Sequence, residues 1–118
     1  MATTANLYVD QGTTFSTIID LENQDSTPLN LTGYTVAGQM RKSYQSSTAV
    51  SFTATVFGDL QAGDAVKGQI RLQLAAATTV GMRAGRYIYD VEITNTQSGE
   101  KYRVLEGIVI LNPEITKI

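Results

Sequence analysis

Apolar and polar residues alternate along most of the chain, in short runs rich in Val, Ile, Thr, Tyr and Phe that are separated by Gly, Asn, Asp, Ser and Pro. Successive side chains of an extended backbone point to opposite faces, so this period of two predicts strands that bury one face. The clearest case is Gly68 to Leu74, where Ile70, Leu72 and Leu74 alternate with Gln69, Arg71 and Gln73. Ala49 to Phe57 sets Val50, Phe52, Ala54 and Val56 against Ser51, Thr53 and Thr55, and Tyr34 to Arg41 sets Tyr34, Val36, Gly38 and Met40 against Thr35, Ala37, Gln39 and Arg41. Nearer the N-terminus, a short strand is predicted at Leu7 to Val9 and a longer one from Thr13 to Glu22, with Phe15, Ile19 and Leu21 on one face.

Two further strands, Arg86 to Thr94 and Tyr102 to Leu111, flank Asn95-Thr96-Gln97-Ser98-Gly99-Glu100 and so predict a hairpin. Asn23 to Pro28, Ser43 to Thr48 and Gly58 to Asp64 carry turn and loop chemistry. Only Ala75 to Val80 looks helical, and a stretch that short can serve as a connector but not as a layer. About seven strands with almost no helix predict an all-β sandwich or small barrel.

Length and composition bound this picture. A chain of 118 residues with 42% hydrophobic residues can fill one two-layer core, so a single domain over residues 1–118 is expected. There is no cysteine, hence no disulfide framework, and stability must come from burial. Nine Lys and Arg against eleven Asp and Glu leave a net charge of −2 with no block of like charge, which argues against nucleic acid or anionic lipid as a partner. The chain opens without a basic segment followed by a long apolar stretch, and no run of about eighteen apolar residues occurs, so neither a cleaved signal nor a membrane span is expected.

Candidate chemistry is sparse. Histidine, cysteine and tryptophan are absent, which removes the commonest general base, the thiolate nucleophile and the usual zinc ligands. No Gly-x-Ser-x-Gly elbow occurs, and Gly81-Met82-Arg83-Ala84-Gly85 lacks the lysine and following helix of a phosphate loop. Asp90 and Glu92 share the polar face of their strand and could bind a cation or act on a glycoside, but a solvated strand face is the expected reading. Asp59 and Asp64 bracket a Gly-containing loop without the dense oxygen spacing of a calcium loop. Arg83, Arg86 and Arg103 could form a cationic patch or pair with Asp90, Glu100 or Glu106. The expectation is no enzyme activity, no metal, no cofactor and no small-molecule substrate.

The stretch Ala84-Gly85-Arg86-Tyr87-Ile88-Tyr89-Asp90-Val91 places an aromatic residue directly after a small-residue turn at the start of a strand. This resembles the tyrosine corner of immunoglobulin-like domains, in which a Tyr near the start of the sixth strand bonds back to the chain entering it. By that resemblance Tyr87 is the corner, and Tyr89 stands where antibody domains carry a core cysteine; the fold implied is an immunoglobulin-like antiparallel sandwich. The alternative is that both are ordinary strand aromatics with their hydroxyls at the sheet edge.

Across the chain, Asp10-Gln11-Gly12-Thr13-Thr14-Phe15, Leu29-Asn30-Leu31-Thr32-Gly33-Tyr34-Thr35-Val36, Gln39-Met40-Arg41, Gly68-Gln69-Ile70-Arg71-Leu72, the corner stretch, and Gly107-Ile108-Val109-Ile110 running into Asn112-Pro113-Glu114-Ile115-Thr116 follow one another in an order that resembles the N-terminal domain of phage baseplate upper proteins. The resemblance implies a virion structural or assembly protein, located in the particle, whose partners are other virion proteins and further copies of itself. A tail, baseplate, neck or capsid-decorating subunit would fit, with a carbohydrate- or surface-binding module as the alternative.

The last strand departs from one-sided patterning. Tyr102, Val104, Ile108 and Ile110 fall on one face and Leu105, Val109 and Leu111 on the other, so its second half is apolar on both. Burying each such side chain is worth about 1.5–3 kcal/mol, so the second face, that of Leu105, Val109 and Leu111, calls for cover. Either a neighbouring segment of the chain or another subunit supplies it. On the second reading Leu105, Val109, Leu111, Ile115 and Ile118 form the assembly interface.

Overall fold

The computed structural model describes residues 3–22, 27, 29–43, 45–46, 49–56 and 68–115. Among them are eight strands, β1 (Thr3–Thr4), β2 (Leu7–Asp10), β3 (Phe15–Asp20), β4 (Tyr34–Arg41), β5 (Val50–Val56), β6 (Gln69–Leu74), β7 (Gly85–Asn95) and β8 (Lys101–Asn112), and one short helix, α1 (Ala76–Val80). The protein is all-β. Period-two patterning located each of the seven longer strands, and β4 has the bounds that its alternation predicts.

The strands join in one path, β1-β8-β7-β4-β5-β6-β3, with β2 also paired to β8. Strand β5 is the joint. Its first half pairs with β4, Phe52 opposite Gly38 and Val50 opposite Met40, while its second half pairs with β6, Ala54 opposite Leu72 and Val56 opposite Ile70. The sheet therefore curls on itself as a half-barrel, bringing Ile70, Leu72 and Leu74 of β6 into one buried cluster with Val91, Leu105 and Val109. Where β4 and β7 run side by side, Gly38 faces Val91, and a side chain there would press on Val91 and Phe52.

Unlike the other neighbours, β1 and β2 run parallel to β8, with Thr3 opposite Leu105 and Leu7, Val9 and Asp10 opposite Val109, Leu111 and Asn112. A parallel pair cannot be closed by a tight turn, so most of the chain separates its partners. Side chains at the β2–β3 turn hold this arrangement. The buried Thr79 hydroxyl of α1 donates to the Thr13 carbonyl at 2.8 Å and accepts from the Gly12 amide at 3.0 Å. Gln11 donates to the Met82 carbonyl and accepts from the Glu114 amide, each at 2.9 Å. The turn, the helix and the segment after β8 are thereby tied at one end of the half-barrel.

Candidate functional site

Strand β8 carries a bulge that resets its alternation. Leu105 lies opposite Val91 and Arg103 opposite Glu92, which leaves Val104 without an opposite number. Val104 turns inward at 8% exposure and Leu105 follows it inward at 0%, so two consecutive residues are buried. An extra residue in one strand does this, and strict alternation cannot.

Beyond the bulge, the odd-numbered side chains of β8 face the core. Leu105, Val109 and Leu111 are buried there together with Leu7, Val9, Tyr87, Tyr89 and Val91. Their assignment to an assembly interface is therefore corrected: β2 and β7 flank β8 and, with the curled sheet, cover them within one chain. Ile115 does stand in solvent, at 95% exposure. Ile118 lies outside the described residues.

It is the even-numbered face that stays uncovered. Tyr8 of β2, 68% exposed, stands opposite Ile110, and Ile110 in turn opposite Arg86. One step along the strands, Ile108 stands opposite Ile88, and Ile88 opposite Arg41. The next row is Glu106, Asp90 and Gln39. Ile88, Ile108 and Ile110 are half-buried, so each keeps part of its apolar surface wet.

This outer face contains a depression of about 590 Å3 whose lining includes Arg41, Ile88, Ile108, Asp90, Arg103 and Glu106. Arg103 bridges two carboxylates across it, Nε to Asp90 at 3.1 Å and Nη1 to Glu106 at 3.5 Å. These are exposed pairs, which contribute little to stability and leave the charges available. Arg41 donates to the Ser46 carbonyl at 2.6 Å. The two apolar rows thus each carry an arginine on their β7 or β4 side, Arg86 beside Ile110 and Arg41 beside Ile88, and the carboxylates Asp90, Glu92 and Glu106 follow along the strands.

Tyr87 and Tyr89 point the other way, into the core. The Tyr87 hydroxyl donates to the Arg83 carbonyl, four residues earlier on the chain entering β7, and the Lys42 ammonium sits 4.3 Å above the Tyr87 ring. Burial raises the Tyr87 pKa, opposed in part by the hydrogen bond to Arg83 and by the Arg83 charge. The Tyr89 hydroxyl donates to the Ala5 carbonyl at 2.6 Å, and burial pushes its pKa up to about 12. Its ring meets Phe52 edge-on at 5.9 Å. Both tyrosines hold backbone in place: one fixes the entry to β7, the other anchors the segment between β1 and β2.

The remaining candidates do not converge. Asp90 and Glu92 share the outer face, where Asp90 is bridged to Arg103. Glu100 accepts from Tyr102 at 2.8 Å at the β7–β8 hairpin, and Arg83 contributes its carbonyl to Tyr87. Tyr8 lies opposite Ile110, at the far end of β8 from Tyr102, so the two make no common aromatic platform. Asp59, Asp64 and Tyr44 lie outside the described residues. Among the described residues no group of three or more acidic side chains could hold a metal ion, and no helix is long and apolar enough to cross a membrane.

Sequence reasoning missed the outer-face row because it sought cover for the Leu105, Val109 and Leu111 face of β8, whereas that face is buried and Ile108 and Ile110 lie on the open one. Gly107 was the available signal. An isolated glycine inside a strand marks close backbone approach, here of Ala5, and fixes the face over which the N-terminal segment lies.

No protein-family model matches the chain, and no curated protein matches it. Among solved structures it is similar to Listeria monocytogenes InlP, at 16% sequence identity with a TM-score of 0.48 over 94% of this chain. The chain spans 28% of the length of that protein.

Proposed function

We propose that the chain is a non-catalytic structural domain that works by protein–protein contact, as a tail, baseplate, neck or capsid-decorating subunit of a bacteriophage particle. In this reading the curled sheet is an immunoglobulin-like sandwich, with β2, β8, β7 and β4 forming one layer and β3, β6 and β5 the other. The ordered resemblance of its segments to baseplate upper proteins supports the virion assignment.

The observation that carries the contact function is the uncovered row Tyr8, Ile110, Ile108 and Ile88 on the outer face of β2, β8 and β7. Strand β8 is apolar on both sides, its own core uses one, and contiguous apolar groups left on the other mark an interaction surface. Replacing Tyr8 with Ser and Ile110 with Thr together tests this. The variant should melt as the parent does yet be lost from purified particles; retention at full copy number would overturn the reading. A glycan-binding role draws on the same depression, whose lining includes the polar side chains Gln39, Arg41, Asp90 and Glu106 as well as Ile88 and Ile108. Glycan-array binding by a chain that takes no part in assembly would favour it.

A further inference from the structure

We infer that the ladder joining β1 and β2 to β8 is a mechanical clamp, through which the domain carries tension between its two ends. The inference stands on strand register and is independent of what contacts the outer face. Strands β1 and β2 run parallel to β8, with Thr3 opposite Leu105 and Thr4 opposite Glu106, then Leu7 opposite Val109 through to Asp10 opposite Asn112, so one register holds on both sides of Ala5 and Asn6. The chain therefore enters this ladder at one end, ahead of Thr3, and leaves it at the other, beyond Asn112. Tension between these two points drags the strands past each other along their own axis. Rungs between parallel strands are evenly spaced and lie across that axis, so they share the load and fail together. In the β7–β8 hairpin, where Gly85 and Leu111 stand opposite each other, a pull on the two ends would instead open the rungs one at a time.

Further bonds tie the two terminal segments along the whole ladder. Where the strand pairing is interrupted, the Ala5 amide donates to the Glu106 carbonyl at 2.9 Å, and the Asn6 side chain accepts from the Ile108 amide at 3.3 Å. The Ala5 carbonyl is held in turn by the Tyr89 hydroxyl at 2.6 Å. At the far end, the Asn112 side chain donates to the Asp10 carboxylate at 3.2 Å, the Gln11 amide donates to the Asn112 carbonyl at 2.9 Å, and the Gln11 side chain accepts from the Glu114 amide at 2.9 Å. Leu7 and Val9 are buried opposite Val109 and Leu111, so sliding the strands would also bring apolar surface into water. While these ties hold, force passes from β1 and β2 straight into β8, and the strands between them in the chain carry none of it.

Single-molecule force spectroscopy on the full chain, with handles joined to its two ends, tests the clamp. Forced unfolding is governed by the unfolding rate rather than by equilibrium stability, so variants in the ladder and in the core should separate. Tyr89→Phe removes the tie to Ala5 and should speed unfolding at fixed load by between about twofold and tenfold, as expected for one hydrogen bond. Asn112→Ala, which loses an exposed bond to Asp10 and leaves the core filled, should act in the same direction. Ile70→Val thins the core on β6, which pairs with β3 and β5 and lies outside the clamp. It should lower the denaturant midpoint yet leave the rate under load at the parent value. The parent should release its length in a single step. A small early release of the N-terminal strand ahead of the main rupture would overturn the inference, as would Tyr89→Phe and Asn112→Ala chains that rupture at the parent rate, or an Ile70→Val chain that ruptures as readily as Tyr89→Phe.

Discussion

The ring of Tyr89 lies against Gly107, its opposite number across β7 and β8. A Cβ at position 107 would stand 3.2 Å from Tyr89 Cε1 and 2.0 Å from the Ala5 carbonyl oxygen, the group that the Tyr89 hydroxyl holds at 2.6 Å. One absent side chain therefore lets the N-terminal segment lie close against β8, and one hydroxyl fastens it there.

Gly107→Ala should dislodge that segment and cost about 1–3 kcal/mol, as inserting a methyl group into a filled site does. Hydrogen exchange checks the location: the Ala5 amide, which bonds to the Glu106 carbonyl at 2.9 Å, should lose protection while β5 and β6 keep theirs.

Leu105 separates a core role from a contact role. At 0% exposure, Leu105→Ala should lower unfolding stability by about 2–5 kcal/mol, read from the denaturant midpoint. Any variant material that still folds should associate as the parent does.

Tyr87→Phe removes the donor to Arg83 and should cost about 0.5–1.5 kcal/mol, rising toward 3 kcal/mol if the carbonyl is left dry. An unchanged midpoint would mean that water replaces the hydroxyl at no cost.

Alkaline pH should unfold the protein through its buried tyrosines. Tyr89 has a folded pKa of about 12 against an ordinary value of 10.0, and Tyr87 is shifted in the same direction. Between those values the unfolded chain has lost the Tyr89 proton that the folded chain still holds. Stability is thus fully present below pH 10 and falls between pH 10 and 12, by at most about 1.4 kcal/mol per pH unit for one such group. Tyrosinate absorbance in a pH titration, with denaturant midpoints alongside, checks this; in Tyr89→Phe the fall should be shallower.

The strands were legible in the sequence because each buries one side, and alternation reports that directly. Ile70, Leu72 and Leu74 were placed inward from pattern alone and are buried. Alternation does not say which side the core takes when both are apolar, and that is where the reading of β8 went astray. It also assumes an unbroken register, which the bulge at Val104 interrupts. The parallel pairing of β2 with β8 was invisible for a different reason: its partners lie about a hundred residues apart, and nothing local encodes it. The bond from Tyr87 back to the chain entering β7 was readable because Tyr87 and its acceptor Arg83 are four residues apart.

The chain contains no cysteine, so single cysteines report exposure cleanly. Ile110 lies on the outer face beside Tyr8, whereas Ile18 is an exposed apolar residue on β3, away from that face. Thiol labelling of Ile110→Cys and Ile18→Cys, in the free chain and in the assembled particle, tests the central claim most directly. The account predicts that both label in the free chain and that assembly protects position 110 alone. Equal labelling of position 110 before and after assembly would contradict it.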